Sequence, residues 1–341
     1  MKFEHVILRS VSHVLPEEAV SSAEIEERLS PLYNRLRLPE GRLELMSGIR
    51  ERRFFPAGTR VGDVGAEAGR RAIEASNLPR DAFGACLYGA VCRDHLEPAT
   101  ACRVHHELGL GPECVVHDVS NACLGILSGA LDIATRIELG QIKAGVVVGA
   151  ECGRNLVQNT IEKLNTAESL NRNEIKNSFA SLTIGSAGAA MALCHDSLGD
   201  GPRLKSASLL AQTEHHTLCQ SEGLTQVMQT DSERLMRAGV ATAVQNFDRF
   251  LQTSGWERSQ IDQSVCHQVG AAHRKLLLEE LGLSPERDFA TLDWLGNTGA
   301  AALPSALSIA VEQGAITAGD RVALLGIGSG VNCLMMAVEW A

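Results

Sequence analysis

The chain has 341 residues, 45% of them hydrophobic and only 4% aromatic, with 32 glycines and a net charge of −10. That composition supports a large core of closely packed helix and sheet layers rather than a β-sandwich. It excludes general nucleic-acid binding, which needs a basic footprint, and no apolar run reaches the ~18 residues of a spanning helix.

The opening Phe3 to Val14 reads as a strand, so the N-terminus is not a signal peptide. Ser22 to Glu27 reads as a capped helix start with acidic residues in its first turn. Helical spacing over Val61 to Ser76 is followed by the apolar run Ala85 to Val91, as expected of a strand buried on both faces. Thr100 to Leu108 reads as helix, Cys114 to Val119 as strand, Ala122 to Glu138 as a long helix and Ala144 to Ala150 as strand. Residues 152 to 180 are polar and mostly helical by pattern, and Ala187 to Leu193 is a strand. Then come helix Leu235 to Ser254, strand Gln263 to Cys266, helix Ala271 to Leu281 and a strand near Phe289 to Leu292. Helix Ala300 to Gln313 and strands Arg321 to Leu325 and Asn332 to Glu339 close the chain. Alternation of this kind predicts an α/β fold with mostly parallel sheets covered by helices.

The order nearly repeats, and so do some residues. Glu107-Leu108-Gly109-Leu110-Gly111-Pro112-Glu113 returns as Glu280-Leu281-Gly282-Leu283-Ser284-Pro285-Glu286. Asn121-Ala122-Cys123, with Ala130 to Ala134 behind it, returns as Asn297-Thr298-Gly299, with Ala306 to Ala310 behind it. This predicts two halves, residues 1–195 and 196–341, whose duplicated units form two sheets around a shared helical layer. Each half has one strand-to-helix junction. One junction holds a cysteine, the other an asparagine and a glycine, which suggests a single site assembled from both.

Cys123 is one of ten cysteines. None form a C-x-x-C pair, so zinc and disulfide frameworks are not indicated; a reducing cytoplasm, with most cysteines as small core residues, fits better. Cys123 differs by position: at a helix N-terminus, unpaired N–H groups and the macrodipole favour a thiolate. The bland alternative is a buried structural cysteine. His267 follows the strand ending at Cys266, where ligands of α/β sheets collect. Asn297 opens the second junction, and an amide and an imidazole together can donate to a thioester or enolate oxygen. Gly326-Ile327-Gly328-Ser329-Gly330 lacks the dinucleotide spacing and suits a backbone donor loop instead. His105-His106 and His215-His216 would point apart on any one element, so no metal site is expected. Arg50-Glu51-Arg52-Arg53 reads as a solvated strand end or as a contact for a cofactor phosphate.

The segments Ser120-Asn121-Ala122-Cys123-Leu124-Gly125, Cys266-His267-Gln268-Val269 and Gly296-Asn297-Thr298-Gly299-Ala300-Ala301, in that order across a duplicated chain, resemble the thiolase superfamily and its 3-ketoacyl-ACP synthase III branch. The resemblance runs to Leu324-Leu325-Gly326-Ile327-Gly328-Ser329-Gly330-Val331-Asn332-Cys333 and implies the five-layered αβαβα thiolase fold. Val91-Cys92-Arg93-Asp94-His95-Leu96-Glu97-Pro98-Ala99-Thr100-Ala101 further resembles the OleA group, which condenses two long-chain acyl-CoAs without decarboxylation.

That resemblance implies Cys123 as nucleophile, His267 and Asn297 as oxyanion or enolate stabilisers, and the Ser329 backbone as an oxyanion donor. Glu97 is implied as a general base given to a partner subunit. Losing carbon dioxide makes a malonyl carbanion without a strong base, whereas a plain acyl-CoA must lose an α-proton, for which a carboxylate of raised pKa can serve. The implied assembly is a cytoplasmic homodimer with acyl-CoA substrates, no metal or other cofactor, and downstream enzymes of olefin synthesis as partners. The alternatives are a decarboxylating 3-oxoacyl-ACP synthase III using malonyl-ACP or malonyl-CoA, and a non-catalytic thiolase-like subunit.

Overall fold

Strands that are apolar on both faces need cover on both faces, and Val146, Val147 and Val148 are completely buried. The computed structural model describes residues 1–167, 172–222 and 227–341. Part of the polar stretch read as helical, residues 168–171, lies outside the described residues.

Nine strands form one sheet: β1 (Val6–Val14), β2 (Phe83–Gly89), β3 (Val115–Val119), β4 (Ala144–Glu151), β5 (Ala187–His195), β6 (Arg203–Ala211), β7 (Gln263–Cys266), β8 (Arg321–Gly328) and β9 (Asn332–Glu339). Their order is β7-β8-β9-β6-β1-β5-β4-β2-β3. The first five strands in sequence lie to one side and the last four to the other. The two runs join where β1 meets β6, through the pair Ile7 and Arg203, an isolated bridge from Lys2 to Ser206, and the Leu8 N–H donating to the Pro202 carbonyl at 2.8 Å. The two sheets expected from the duplication are therefore one continuous hydrogen-bonded sheet.

Helices α1 (Val61–Ser76) and α2 (Thr100–Leu108) cover the first run, while α4 (Ser232–Ser254), backed by α5 (Ala271–Leu281), covers the second. Between the runs lie α3 (Gly125–Glu138) and α6 (Ala302–Glu312), the central layer of the αβαβα stack. The glycine content is spent on closeness. A Cβ on Gly129 of α3 would come within 2.6 Å of the Val147 side chain, and one on Gly69 of α1 within 2.9 Å of Val148. At the N-terminus of α3 the approach is backbone to backbone, where a Cβ on Gly125 would stand 2.6 Å from the carbonyl carbon of Gly89 at the end of β2.

Only three of the eight strand pairings in this sheet are parallel (β2 with β3, β2 with β4, β7 with β8), so the expectation of mostly parallel sheets is corrected. The chain runs back antiparallel between β4 and β5, and β8 and β9 form a hairpin. The strand expected near Phe289 to Leu292 is reduced to one bridge between Ser264 and Asp288, followed by a short helix, Leu292–Leu295. The Asp288 carboxylate is drawn instead to the Ser264 hydroxyl at 2.9 Å and to Arg274 at 2.6 Å. Also unforeseen were β6 and two small ribbons, Glu18–Ser21 with Glu51–Phe54 and Cys219–Glu222 with Val227–Thr230. The first ribbon buries Arg52 completely, so the solvated reading of the Arg50 to Arg53 cluster fails at its centre.

Gly125→Ala would push a methyl into backbone rather than into a yielding side chain. It is expected to lower unfolding stability by about 3 kcal/mol, as read by chemical denaturation.

Candidate active site

The two strand-to-helix junctions meet. After β3 the chain reaches Ala122 at φ 44°, a left-handed conformation that costs a non-glycine residue energy and is found preferentially at functional turns. A single 3₁₀ turn, Ala122–Leu124, then leads into α3. In the second half Asn297 follows Gly296, and a matching 3₁₀ turn, Gly299–Ala301, leads into α6. The two turns pack on each other, and the first also packs on β8.

Cys123 is partly shielded, and its own N–H and that of Ser329 act on its sulfur to lower the thiol pKa. Those donors favour a thiolate, as the helix N-terminus was expected to. They are outweighed: burial, then the Glu151 carboxylate, then Cys219 push the thiol up to about 12. The expected activated thiolate is corrected to a thiol that is protonated at rest. Ser329 is held in place because the Asn121 amide donates to the Ser128 hydroxyl at 2.9 Å and accepts from Asn332 at 3.1 Å, tying the first junction to the β8–β9 hairpin. That hairpin turns over Ser329 to Val331, with Gly330 at φ 82°. The glycine-rich stretch read as a loop is thus strand up to Gly328 and turn only beyond it.

His267 leaves β7 with its N–H bound to the Leu325 carbonyl of β8 at 2.9 Å. It is 2% exposed, and burial, reinforced by His273, pulls its pKa down to about 3. The ring is therefore neutral at physiological pH, and its Nδ1 has no hydrogen-bond partner among the described residues. Asn297 is pinned on both sides of its backbone: its N–H donates to Thr183 at 3.0 Å and its carbonyl accepts from Gly185 at 2.9 Å. Its Oδ1 accepts from the Gly299 N–H at 3.0 Å, which leaves the donor end of the amide for a substrate oxygen.

Glu97 stands apart from this group. It is exposed beside Leu96, which is 90% exposed, and has no hydrogen-bond or ion-pair partner among the described residues. The loop beneath it is nonetheless braced. At one base Glu151 accepts from the Val91 and Cys92 N–H groups, and at the other Asp118 accepts from those of Thr100 and Ala101. Glu151 is the residue that sequence reasoning missed. It ends the otherwise apolar β4 and is 5% exposed; an acidic residue closing a buried strand was the available signal.

Of the basic cluster, Arg52 donates to the Val20 and Leu182 carbonyls and the Ser22 hydroxyl, so it is unavailable to a phosphate, while Arg50 is exposed. All ten cysteines are free thiols. Among the described residues, one group with metal-ligand geometry, His5, His195 and Asp196, sits at the opposite end of β4 and β5, with Arg203 at 3.5 Å from Asp196.

Because Cys123 is a protonated thiol, its alkylation by iodoacetamide, followed by peptide mass spectrometry, is expected to accelerate about tenfold per pH unit between about pH 7 and 10. A plateau below about pH 9 would contradict the burial argument.

Residues 251–340 match the family described as 3-Oxoacyl-[acyl-carrier-protein (ACP)] synthase III C terminal. Over the full length of both chains, the protein is 42% identical to the acyl-CoA:acyl-CoA alkyltransferase of Shewanella oneidensis. The beta-ketoacyl-[acyl-carrier-protein] synthase III of Escherichia coli K12 is more distant, 28% identical over 93% of each chain. The crystal structure of cerulenin-bound Xanthomonas campestris OleA superposes with a TM-score of 0.96 at 34% identity, covering 100% of this chain and 98% of that one.

Proposed function

The chain belongs to the acyl-CoA:acyl-CoA alkyltransferase (OleA) family of the thiolase superfamily, and on that premise we propose that it joins two long-chain acyl-CoA thioesters head to head without decarboxylation. The observation that carries the reading is the full-length 42% identity to an acyl-CoA:acyl-CoA alkyltransferase, against 28% to a synthase III.

The Cys123 sulfur attacks the carbonyl of a first acyl-CoA. A C–S bond forms, coenzyme A leaves, and the thiol proton departs with it. The N–H groups of Cys123 and Ser329, which act on the sulfur at rest, receive the oxyanion that develops on the acyl carbon. A second acyl-CoA then lies with its thioester oxygen toward His267 and Asn297. Both are neutral donors, so they stabilise an enolate as it forms without presenting a cation to the ground state. Glu97 takes the α-proton, the carbanion attacks the Cys123 thioester, and the Cys123 sulfur leaves. The product is a 2-alkyl-3-oxo thioester, which water converts to the acid. No redox step or metal enters this scheme; the coenzyme A thioesters are substrates.

Glu97 must come from elsewhere, since in the single chain it projects into solvent beside the bare Leu96. A homodimer in which the partner subunit's Glu97 enters the site satisfies both residues. Free thiols throughout fit a reducing cytoplasm, and among the described residues no helix is long and apolar enough to cross a membrane. The 3-oxo product is a substrate for later enzymes of olefin synthesis.

Incubation with a long-chain acyl-CoA alone is expected to give the 2-alkyl-3-oxo product by mass spectrometry. Glu97→Gln is expected to keep the acyl mass on Cys123 while losing condensation by about 100-fold or more. Release of labelled carbon dioxide from a malonyl thioester, with Glu97→Gln fully active, would instead favour the decarboxylating reaction.

A further inference from the structure

We propose that Glu151 is a positioning residue for the condensation step, its carboxylate fixing both the Glu97 loop and the Asn297 turn relative to Cys123. The proposal rests on the condensation reading above. The carboxylate is shared between the two elements. Oε1 accepts from the Val91 N–H at 2.9 Å and from the Ala300 N–H at 3.2 Å, and Oε2 accepts from the Cys92 N–H at 3.0 Å. Val91 and Cys92 open the loop that carries Glu97 at its tip. Ala300 belongs to the turn entered from Asn297. The same carboxylate lies near enough to Cys123 to raise its thiol. One buried group therefore touches the base loop and the donor turn and is felt by the nucleophile.

The duplication shows why a carboxylate stands there. Cys123 and Gly299 hold the same place in the two junctions, each two residues after the asparagine. Glu151 and Gly328 also hold the same place, each the last residue of an eight-residue strand, β4 or β8. A Cβ on Gly299 would stand 2.9 Å from the Glu151 Oε1, and Gly299 has φ +56°. A Cβ on Gly328 would stand 3.2 Å from Leu124 and 3.5 Å from the Cys123 nitrogen. At the first junction the turn carries the side chain and the strand carries glycine; at the second the assignment is reversed. Glu151 thus fills from the strand the room that Gly299 leaves empty on the turn. Its three backbone bonds make it a clamp, and a hydrogen-bonded carboxylate in a dry site holds its donors more firmly than a neutral acceptor does.

The test separates positioning from folding. Glu151→Gln keeps the shape, removes the charge and turns an N–H₂ against the Cys92 N–H. It is expected to retain acyl transfer to Cys123 by intact mass, and to lose about 100-fold both in condensation and in exchange of the second substrate's α-proton in heavy water. The groups acting on the thiol are Glu151, Cys219 and the N–H groups of Cys123 and Ser329. Removing the Glu151 charge should therefore move the Cys123 alkylation profile to lower pH, which a purely structural loss would not do. Condensation at the wild-type rate, or equal loss of acylation and condensation in a variant that melts normally, overturns the proposal. If Glu151→Gln does not fold, Gly299→Ala decides, because it leaves the carboxylate but presses on it; the same split is expected, and unimpaired condensation overturns it. A wild-type enzyme that forms no 2-alkyl-3-oxo product fails the functional reading instead, and the alkylation profile, which needs no substrate, still reports on the Glu151 contact.

Discussion

The site depends on how closely two strand-to-helix junctions approach across the seam of a duplicated fold. Within the first half, backbone meets backbone at Gly89 and Gly125, where no side chain fits between the end of β2 and the start of α3. The same closeness recurs where Gly326 of β8 lies under Leu124 and Leu127, since a Cβ there would come within 2.6 Å of Leu124. The Gly326 contact seats the 3₁₀ turn carrying Cys123 against the second half, beside the Ser329 N–H that acts on the sulfur. The hydrogen bond from Asn332 to Asn121 fastens the arrangement. Helix packing in the central layer and the geometry of the nucleophile are one constraint, not two.

That closeness makes the site dry, and dryness sets its electrostatics. Burial is the leading cause both of the Cys123 thiol being high and of His267 being low. Both groups are neutral at rest, as is Asn297. In the proposed reaction a site of neutral donors holds a thioester without favouring it over the charged species that follows, so the stabilisation is felt mainly as charge develops. The helix N-terminus still contributes through the N–H groups that face the sulfur, but its field does not overcome the loss of water. Reading a helix N-terminus as sufficient to form a thiolate is therefore unsafe where the same helix is buried at its start.

Much of this was legible because the repeat is written in residues with hard physical meaning. Helices Val61–Ser76, Thr100–Leu108 and Ala271–Leu281 and strands Gln263–Cys266 and Asn332–Glu339 follow the pattern of the sequence to the residue, the helices being closed by Asn77, Gly109 and Gly282. The asparagine common to the two junctions, Asn121 and Asn297, located the turns. Strand direction was not legible, because an apolar run such as Ala187–His195 looks the same whether its neighbour is parallel or antiparallel. The strand near Phe289 failed because Asp288 found Arg274 and Ser264, a tertiary choice that local pattern does not encode.

The site residues divide along the same line. Cys123, His267 and Asn297 sit at strand ends and junctions, positions that periodicity marks out. Glu151 also ends a strand, but a carboxylate next to alanine and cysteine reads as the start of a solvated loop unless its three N–H partners are known, and those come from residues 91, 92 and 300. Glu97 is the reverse case: its sequence context is distinctive, yet within one chain it has nothing to act on. Asp118 and Glu151 fix the two feet of its loop while Leu96 and Glu97 at the tip stay bare. The proposed condensation needs a base, and it gives a segment held at its feet and bare at its tip a use at the site of a second copy of the chain.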